Sequence, residues 1–567
     1  MSDTSKSEEK QEPAGQAALN AIFDPFNRAD APGLIVGVAH RGRTIYRRGT
    51  GLASLELGVA NSPRTRMRIG STSKHFTCLA ALLLAEDGKL RVDDPVRKYL
   101  PELPAVKVEP TLLQLMNHTN GYRDFLDMGF IADGMAIKPK GLALAVQVRQ
   151  TNINFEAGEK MMYNNGGYHL LSVIIERVSG MRFEEFLKER IFLPLHMYDT
   201  DSVPSDFEIT RGMASMYVPL PEGGWRRGIF PNEEVRGEGG MVSCVDDMLV
   251  WLSHLRGQKI IGSQASWTLL TTPTKLNNGL VNPYALGLMR NPYRGVETIH
   301  HAGGVIGGSC QMLTVPEHEL DIIIMTNATP NGTTTPNPVE LSHKVIDAML
   351  GDVLQDAPQP RAETARFKSL VGAKYYAPAS GFVVSFLDVG GKLGMSAADM
   401  PPTPLRDDGD ALRLGFEDLA AGPIALDVFE DSGAPPQTLE IRESGLSEHF
   451  DLLPAFAAED SAVRAELVGR YRCADLDANA TIDLQEGKIR MRVFGAWGTS
   501  IAVLTAYSND VLGWQIQSAE LPLRGVMSLE RVRGRLTAFK MDTLRTRHLH
   551  FERIEGQPHK DVVGKDR

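Results

Sequence analysis

Apolar residues recur along the chain in two rhythms. Gly33-Leu-Ile-Val-Gly-Val-Ala-His40 is a nearly unbroken apolar run of strand length, and beyond the turn Arg41-Gly42-Arg43 the stretch Thr44–Gly49 alternates as a hairpin partner would. A short amphipathic helix is expected before them, over Ala18–Phe26. Phe76, Leu79, Ala80, Leu83 and Leu84 then fall at helical spacing, and Cys78, Ala81 and Leu82 fill the gaps. That segment, ended by Asp87-Gly88, predicts a helix apolar almost all round and therefore buried. Helices are also predicted over 111–117, 142–150, 168–179, 183–191 and 338–350, and strands over 298–301, 308–314 and 321–326. Strands at both ends with helices between them describe an α+β domain, its sheet assembled from N- and C-terminal parts around an all-helical insert.

After Leu350 the rhythm changes. Asp356-Ala-Pro-Gln-Pro-Arg361 reads as a linker, and short alternating strands with turn signals such as Asp407-Asp-Gly and Glu486-Gly follow it. The region echoes itself: Leu370-Val-Gly-Ala-Lys-Tyr375 matches Leu467-Val-Gly-Arg-Tyr471, and Gly391-Lys-Leu-Gly-Met395 matches Gly487-Lys-Ile-Arg-Met491. The matched glycines lie 97 and 96 positions apart, too long for a solenoid period, so two tandem antiparallel β-barrels are expected. The resulting division is a disordered tail over 1–16, an α+β domain over 17–355, and barrels over 356–462 and 463–567.

Composition narrows the class. A net charge of −10 and 23% charged residues describe a globular chain with no bias toward nucleic acid or an anionic membrane as partner. Four scattered cysteines show no metal spacing, and no histidine pairs with carboxylates in a zinc pattern, so no metal and no cofactor are expected. The N-terminal stretch is polar, and the longest apolar runs, such as Cys78–Ala85, are too short to span a bilayer. A cytoplasmic protein is the expectation.

The candidate chemistry sits at the mouth of the apolar helix. Ser71-Thr-Ser-Lys74 places a hydroxyl and an amine three residues apart, on one helix face. Alone the motif is weak, since Ser7-Glu-Glu-Lys10 in the tail matches it as well. Order and context add weight: Tyr163-Asn-Asn165 follows a turn and precedes a helix, and His301-Ala-Gly303 ends a strand. This set, with supporting stretches at Leu112–Gly121, Gly239–Met248 and Tyr284–Gly287, resembles the penicillin-recognising serine hydrolases, which include class C β-lactamases, DD-peptidases and esterase and aminopeptidase relatives. The third motif of that family is usually Lys-Thr-Gly; His-x-Gly marks the branch containing the D-aminopeptidases.

The resemblance implies a β-lactamase/DD-peptidase-like catalytic domain followed by two eight-stranded barrels. It implies Ser71 as the acylated nucleophile, Lys74 as its base and Tyr163 as a partner in proton transfer. Asn165 is expected to hold the Lys74 ammonium and a substrate amide, and His301 to meet Tyr163 or the substrate. The N–H groups of Ser71 and of the strand around Gly303 are expected to form an oxyanion hole. In D-aminopeptidases a loop of the last barrel enters the site with an acid for the substrate ammonium. The corresponding stretch here is Gln517–Pro522 with Glu520, a Glu where that pattern has Asp, and Met289 replaces an amide. Asp124, Glu156 and Glu159 read as solvated or turn residues, and His118 as a structural hydrogen-bonder. The expected function is a D-stereospecific aminopeptidase or amidase acting on a small peptide or amide, with a homodimer left open. A peptidase of oligopeptides from cyclic or non-ribosomal peptides, or an esterase, is the alternative; a small-ligand receptor is the alternative outside enzymes.

Overall fold

The computed structural model describes residues 15–257, 259–332, 334–355, 361–414, 424–427, 432–454, 465–518, 520–521 and 523–554. Most of the expected tail and linker, the boundary at 462–463, and Ala519 and Pro522 lie outside them.

Strands β1 (Leu34–His40) and β2 (Arg43–Thr50) form the N-terminal hairpin, and β3 (Met289–Tyr293), β4 (Val296–Val305), β5 (Gly308–Val315) and β6 (Leu320–Thr326) come from the far end of the domain. They make one antiparallel sheet in the order β3-β4-β5-β6-β1-β2, closed between the two parts by the register Leu34↔Thr326 to His40↔Leu320. β1 is apolar on both faces because both are covered. Ile35 and Ala39 join the core with helix α5 (Val245–Arg256), while Leu34, Val36 and Val38 pack with α1 (Gln16–Phe23) and α6 (Pro338–Leu350). β2, at the edge, keeps an exposed face.

Helix α2 (Lys74–Glu86) is buried from Lys74 through Leu84, as its all-round apolar pattern requires. Beyond α5 and the helix Gln264–Thr271, neither of which the periodicity predicts, the helices differ from it in three places. The helix expected from 168 begins at Asn165 (α4, Asn165–Ser179), because the Asn164 side chain accepts the Gly167 N–H at 2.7 Å and caps it three residues early. The helix expected over 183–191 is α-helical only over Phe183–Leu187 and continues as a π turn over Lys188–Phe192. Helix α3 (Phe125–Asp133), unexpected from the pattern, has Phe125, Met128, Ile131 and Ala132 packed into the core of the last barrel.

The C-terminal region forms two antiparallel barrels. The second is closed by eight strands, from Gly469–Cys473 to Leu549–Arg553. The first departs from the expected eight. Its described residues form nine short strands and leave it open between Thr403–Pro404 and Arg406–Asp407, where Pro404 can donate no ladder hydrogen bond. The echoed segments occupy equivalent places: Tyr375 and Tyr471 lie on the first strands, and Gly391 and Gly487 in the second hairpin turns. Tyr471, Phe539, Phe551, Met491 and Met527 fill the closed barrel with a packed core.

The closed barrel docks through a buried polar seam. Arg123 donates to Asp475 at 2.5 Å, to Gln150 at 3.1 Å and to the carbonyls of Arg547 and His548, each at 2.8 Å. The turn Thr543–His548, which joins the last two barrel strands, is thereby seated on the catalytic domain. Its Thr543 hydroxyl donates to Asp127 at 2.6 Å, and the Arg545 carbonyl accepts from Asn154 at 2.8 Å.

Candidate active site

Ser71 lies in the single 3-10 turn Gly70–Ser73 that leads into α2. Two hydroxyls fix the turn: Ser73 donates to the Gly70 carbonyl at 2.6 Å, and Thr72 donates to the His301 carbonyl on β4 at 3.1 Å. Gly70 adopts φ +52°, and a Cβ built on it would come within 2.8–2.9 Å of the Gly304 backbone. β4 therefore runs directly beside the residue preceding Ser71, with Gly303 facing the turn.

The Lys74 ammonium is fully buried. It donates to Ser71 Oγ at 3.0 Å, to Asn165 Oδ1 at 2.9 Å and to the Glu238 carbonyl at 2.6 Å, and it lies 4.8 Å from the Tyr163 ring centroid. Burial pushes its pKa down to about 7; the carboxylates of Glu238 and Asp124 oppose that shift and the Arg545 guanidinium assists it. Burial pushes the Tyr163 phenol up, against a hydrogen bond with Ser71, so it is a neutral proton donor or acceptor at neutral pH.

Asn165 is oriented from behind. Asp124 accepts its backbone N–H at 2.6 Å and its side-chain Nδ2 at 3.1 Å, which leaves Oδ1 for Lys74. Each end of the amide thus has a partner within the protein, and the second Nδ2 proton is left over. Asp124 is fully buried, not the solvated or turn residue expected, and it also caps α3 by accepting from Leu126 at 2.8 Å. An Asp directly before an apolar run was the available signal for that cap. His118 accepts the Asn164 N–H at 3.0 Å, a structural hydrogen bond.

His301 Nε2 meets the Tyr284 hydroxyl at 2.9 Å and Nδ1 meets the Ala302 carbonyl at 2.6 Å. The carbonyl requires the proton on Nδ1, so Tyr284 donates to Nε2. Burial, and then the Lys74 charge, hold the imidazole well below its ordinary pKa, so it is neutral. Its ring stands 6.3 Å from that of Tyr163, and Tyr284, not Tyr163, is its hydrogen-bonding partner.

Ser71, Lys74, Tyr163, Asn165, His301 and Gly303 therefore converge. Glu520 does not join them: its carboxylate accepts from Ser518 at 2.7 Å and pairs with Arg226, on the catalytic domain's hairpin strand Trp225–Arg227. The barrel segment that reaches the site is the Thr543–His548 turn, whose Arg545 guanidinium lies 5.4 Å from the Tyr163 ring centroid. Glu238, which serves Lys74 through its main chain, and Arg545, which arrives by docking, leave no side-chain pattern in the sequence.

Substituting asparagine for Asp124 removes both the anchor of Asn165 and a charge that favours the Lys74 ammonium. A fall in kcat/KM of about tenfold is expected, the scale of one charge-assisted hydrogen bond. The acid limb of the pH profile should move to lower pH, because loss of that carboxylate lowers the Lys74 pKa further; a limb shifted upward contradicts the assignment.

Fold and site define a serine hydrolase of the penicillin-recognising kind. The beta-lactamase family model matches residues 19–341, more than half the chain, and the chain belongs to that family. Along nearly its whole length it is similar to D-aminopeptidases. That of Brucella canis is 26% identical over 564 residues, covering 96% of this chain and 99% of the relative. That of Brucella anthropi is 25% identical, covering 92% and 96%. Among solved structures, the octameric penicillin-binding protein homologue from Pyrococcus abyssi superposes with a TM-score of 0.51 at 19% identity, covering 88% of this chain and 97% of its own. D-amino acid amidase from Ochrobactrum anthropi SV3, complexed with L-phenylalanine amide, gives 0.51 at 22% identity, covering 60% and 99%. These structures share the fold. No helix among the described residues is long and apolar enough to cross a membrane.

Proposed function

We propose that the protein hydrolyses amide bonds next to a D-residue in short peptides or amino-acid amides, through an acyl-enzyme on Ser71. The observation that carries this reading is the unexposed Lys74 amine, 3.0 Å from Ser71 Oγ with a pKa brought to about 7. An amine so tuned is half neutral at physiological pH and takes the Ser71 proton as Oγ attacks the carbonyl carbon. The C–O bond forms as the carbonyl π pair moves onto oxygen, where the Ser71 N–H and the β4 backbone beside Gly70 supply donors. Collapse breaks the C–N bond, and the proton reaches the leaving amine through Lys74 and Tyr163. Water then attacks the ester with the same groups in reverse. Neutral His301, tied to Tyr284, positions β4 and carries no charge for substrate. The D-preference rests on the D-aminopeptidases of similar sequence.

A fluorophosphonate should label the protein once, with the adduct mapped by mass spectrometry to the peptide containing Ser71; an adduct elsewhere, or none, contradicts the proposal. A panel of D- and L-aminoacyl p-nitroanilides should be cleaved on the D side. Preference for the L series overturns the stereochemical part alone.

A further inference from the structure

We infer that Arg545, delivered by the last barrel, is the specificity-determining residue of the site and selects substrates bearing a carboxylate over those offering only an ammonium. This deepens the proposed hydrolase reading and rests on it.

Arg545 is held as a preorganised ligand group. Its backbone N–H donates to Thr543 Oγ1 at 3.1 Å, and its carbonyl accepts from Asn154 at 2.8 Å and from the Asp124 N–H at 3.3 Å. Its guanidinium lies against the Tyr163 ring at 5.4 Å, a cation–π contact that fixes the group without consuming its N–H donors. Among the described residues, no side chain or carbonyl accepts a hydrogen bond from that guanidinium, and no carboxylate reaches ion-pair distance of it. The two acids nearest in charge are occupied. Asp124 serves Asn165 and Leu126, and Asp127 accepts from Thr543 at 2.6 Å. They keep Arg545 charged, outweighing the effect of its burial, without using its donors.

Arg545 and Tyr163 are both half-buried, and no guanidinium nitrogen of Arg545 is sealed from solvent, so the fork stands beside the phenol ring within reach of a ligand. A planar, fixed guanidinium with free donors matches a carboxylate. The acid that would have received a substrate ammonium is taken up elsewhere: Glu520 pairs with Arg226. The charge beside the Tyr163 phenol that has no anionic hydrogen-bond partner among the described residues is therefore positive. A peptide whose departing residue ends in a free carboxylate supplies the missing anion.

The test reads binding, with catalysis removed. A D,D-dipeptide with a free C-terminal carboxylate, and its C-terminal amide, are titrated by calorimetry into full-length Ser71→Ala protein. The acid should bind about 10- to 100-fold more tightly, the scale of a desolvated charged hydrogen-bond pair. Adding Arg545→Met should erase that difference by weakening the acid only, and adding Arg545→Lys should restore part of it. Equal binding of acid and amide, no binding of the acid, or a preference that survives Arg545→Met overturns the inference. Fluorophosphonate labelling of the Arg545→Met single variant separates the two readings. Labelling at Ser71 with no acid preference defeats only the role of Arg545, whereas absence of labelling in the wild type defeats the hydrolase reading.

Discussion

Replacing Lys74 with methionine is expected to abolish nearly all turnover and, at the same time, to make the stability of the catalytic domain relative to the wild type rise as the pH falls from 10 to 6. The first effect follows from the hydrogen bond to Ser71: without a base the hydroxyl stays protonated, and a loss of about 10³-fold or more in kcat/KM is expected. The second follows from linkage. Lys74 titrates near pH 7 in the fold against an ordinary 10.5, so between those values the unfolded chain binds more protons than the native one. Stability contributed by this group therefore rises with pH across that window, and below pH 7 the full cost of the buried ammonium is carried. That cost is on the order of 5 kcal/mol at about 1.4 kcal/mol per pH unit. Methionine fills similar volume without charge, but it leaves Asn165 Oδ1 and the Glu238 carbonyl unpaired at about 1–3 kcal/mol each. At pH 6 the two effects roughly offset each other; by pH 10, where the ammonium carries almost no cost, the variant is the less stable by about 2–6 kcal/mol, so its Tm relative to the wild type rises as the pH falls. In the wild type, kcat/KM should climb with pH through about 7 as Lys74 loses its proton. A profile without that limb, or a methionine variant whose Tm relative to the wild type does not rise from pH 10 to pH 6, contradicts the assignment of the base.

What the chain discloses without its structure follows from where each constraint is written. The helix bearing Lys74 was readable because all its faces are buried, and a segment apolar all round has few other uses. The hairpin β1–β2 and the strands that pair with it carry ordinary strand signals. Helix α3 carries no comparable signal, because its apolar residues serve the last barrel and Gly129 interrupts its pattern. Asn165 was readable as a motif member, yet its orientation depends on Asp124, which reaches it from 41 residues away and looked like a surface acid. The largest displacement concerns the barrel loop. The barrel's turn holding Ser518 and Glu520 and its turn Thr543–His548 are both polar, and which of them faces Tyr163 is decided by docking. Arg123 gripping Asp475 and the carbonyls of Arg547 and His548 settles that orientation. Nothing in the periodicity of either turn encodes it.

Gly303→Ala is expected to damage the site more than any other single methyl group on β4. A Cβ at that position would stand 1.8 Å from the Ile69 carbonyl and 3.1 Å from Thr72 Oγ1, so the strand has to withdraw from the nucleophile turn. Withdrawal breaks the Thr72–His301 hydrogen bond and separates the β4 backbone from Gly70, against which it packs. The donors that flank a developing oxyanion then no longer converge. A fall in kcat of about 10²–10³-fold is expected, with little change in KM, because the lost interaction belongs to the transition state. Overpacking should add about 1–3 kcal/mol of destabilisation. The neighbouring residue provides the control. A Cβ on Gly304 meets nothing within 4 Å, so Gly304→Ala should melt at nearly the wild-type temperature and still be labelled by a small fluorophosphonate. Melting curves and labelling rates of the two variants, measured side by side, separate close approach from glycine content. If both alanines cost the same, the contact between β4 and Ile69 is not what holds the oxyanion donors beside Ser71.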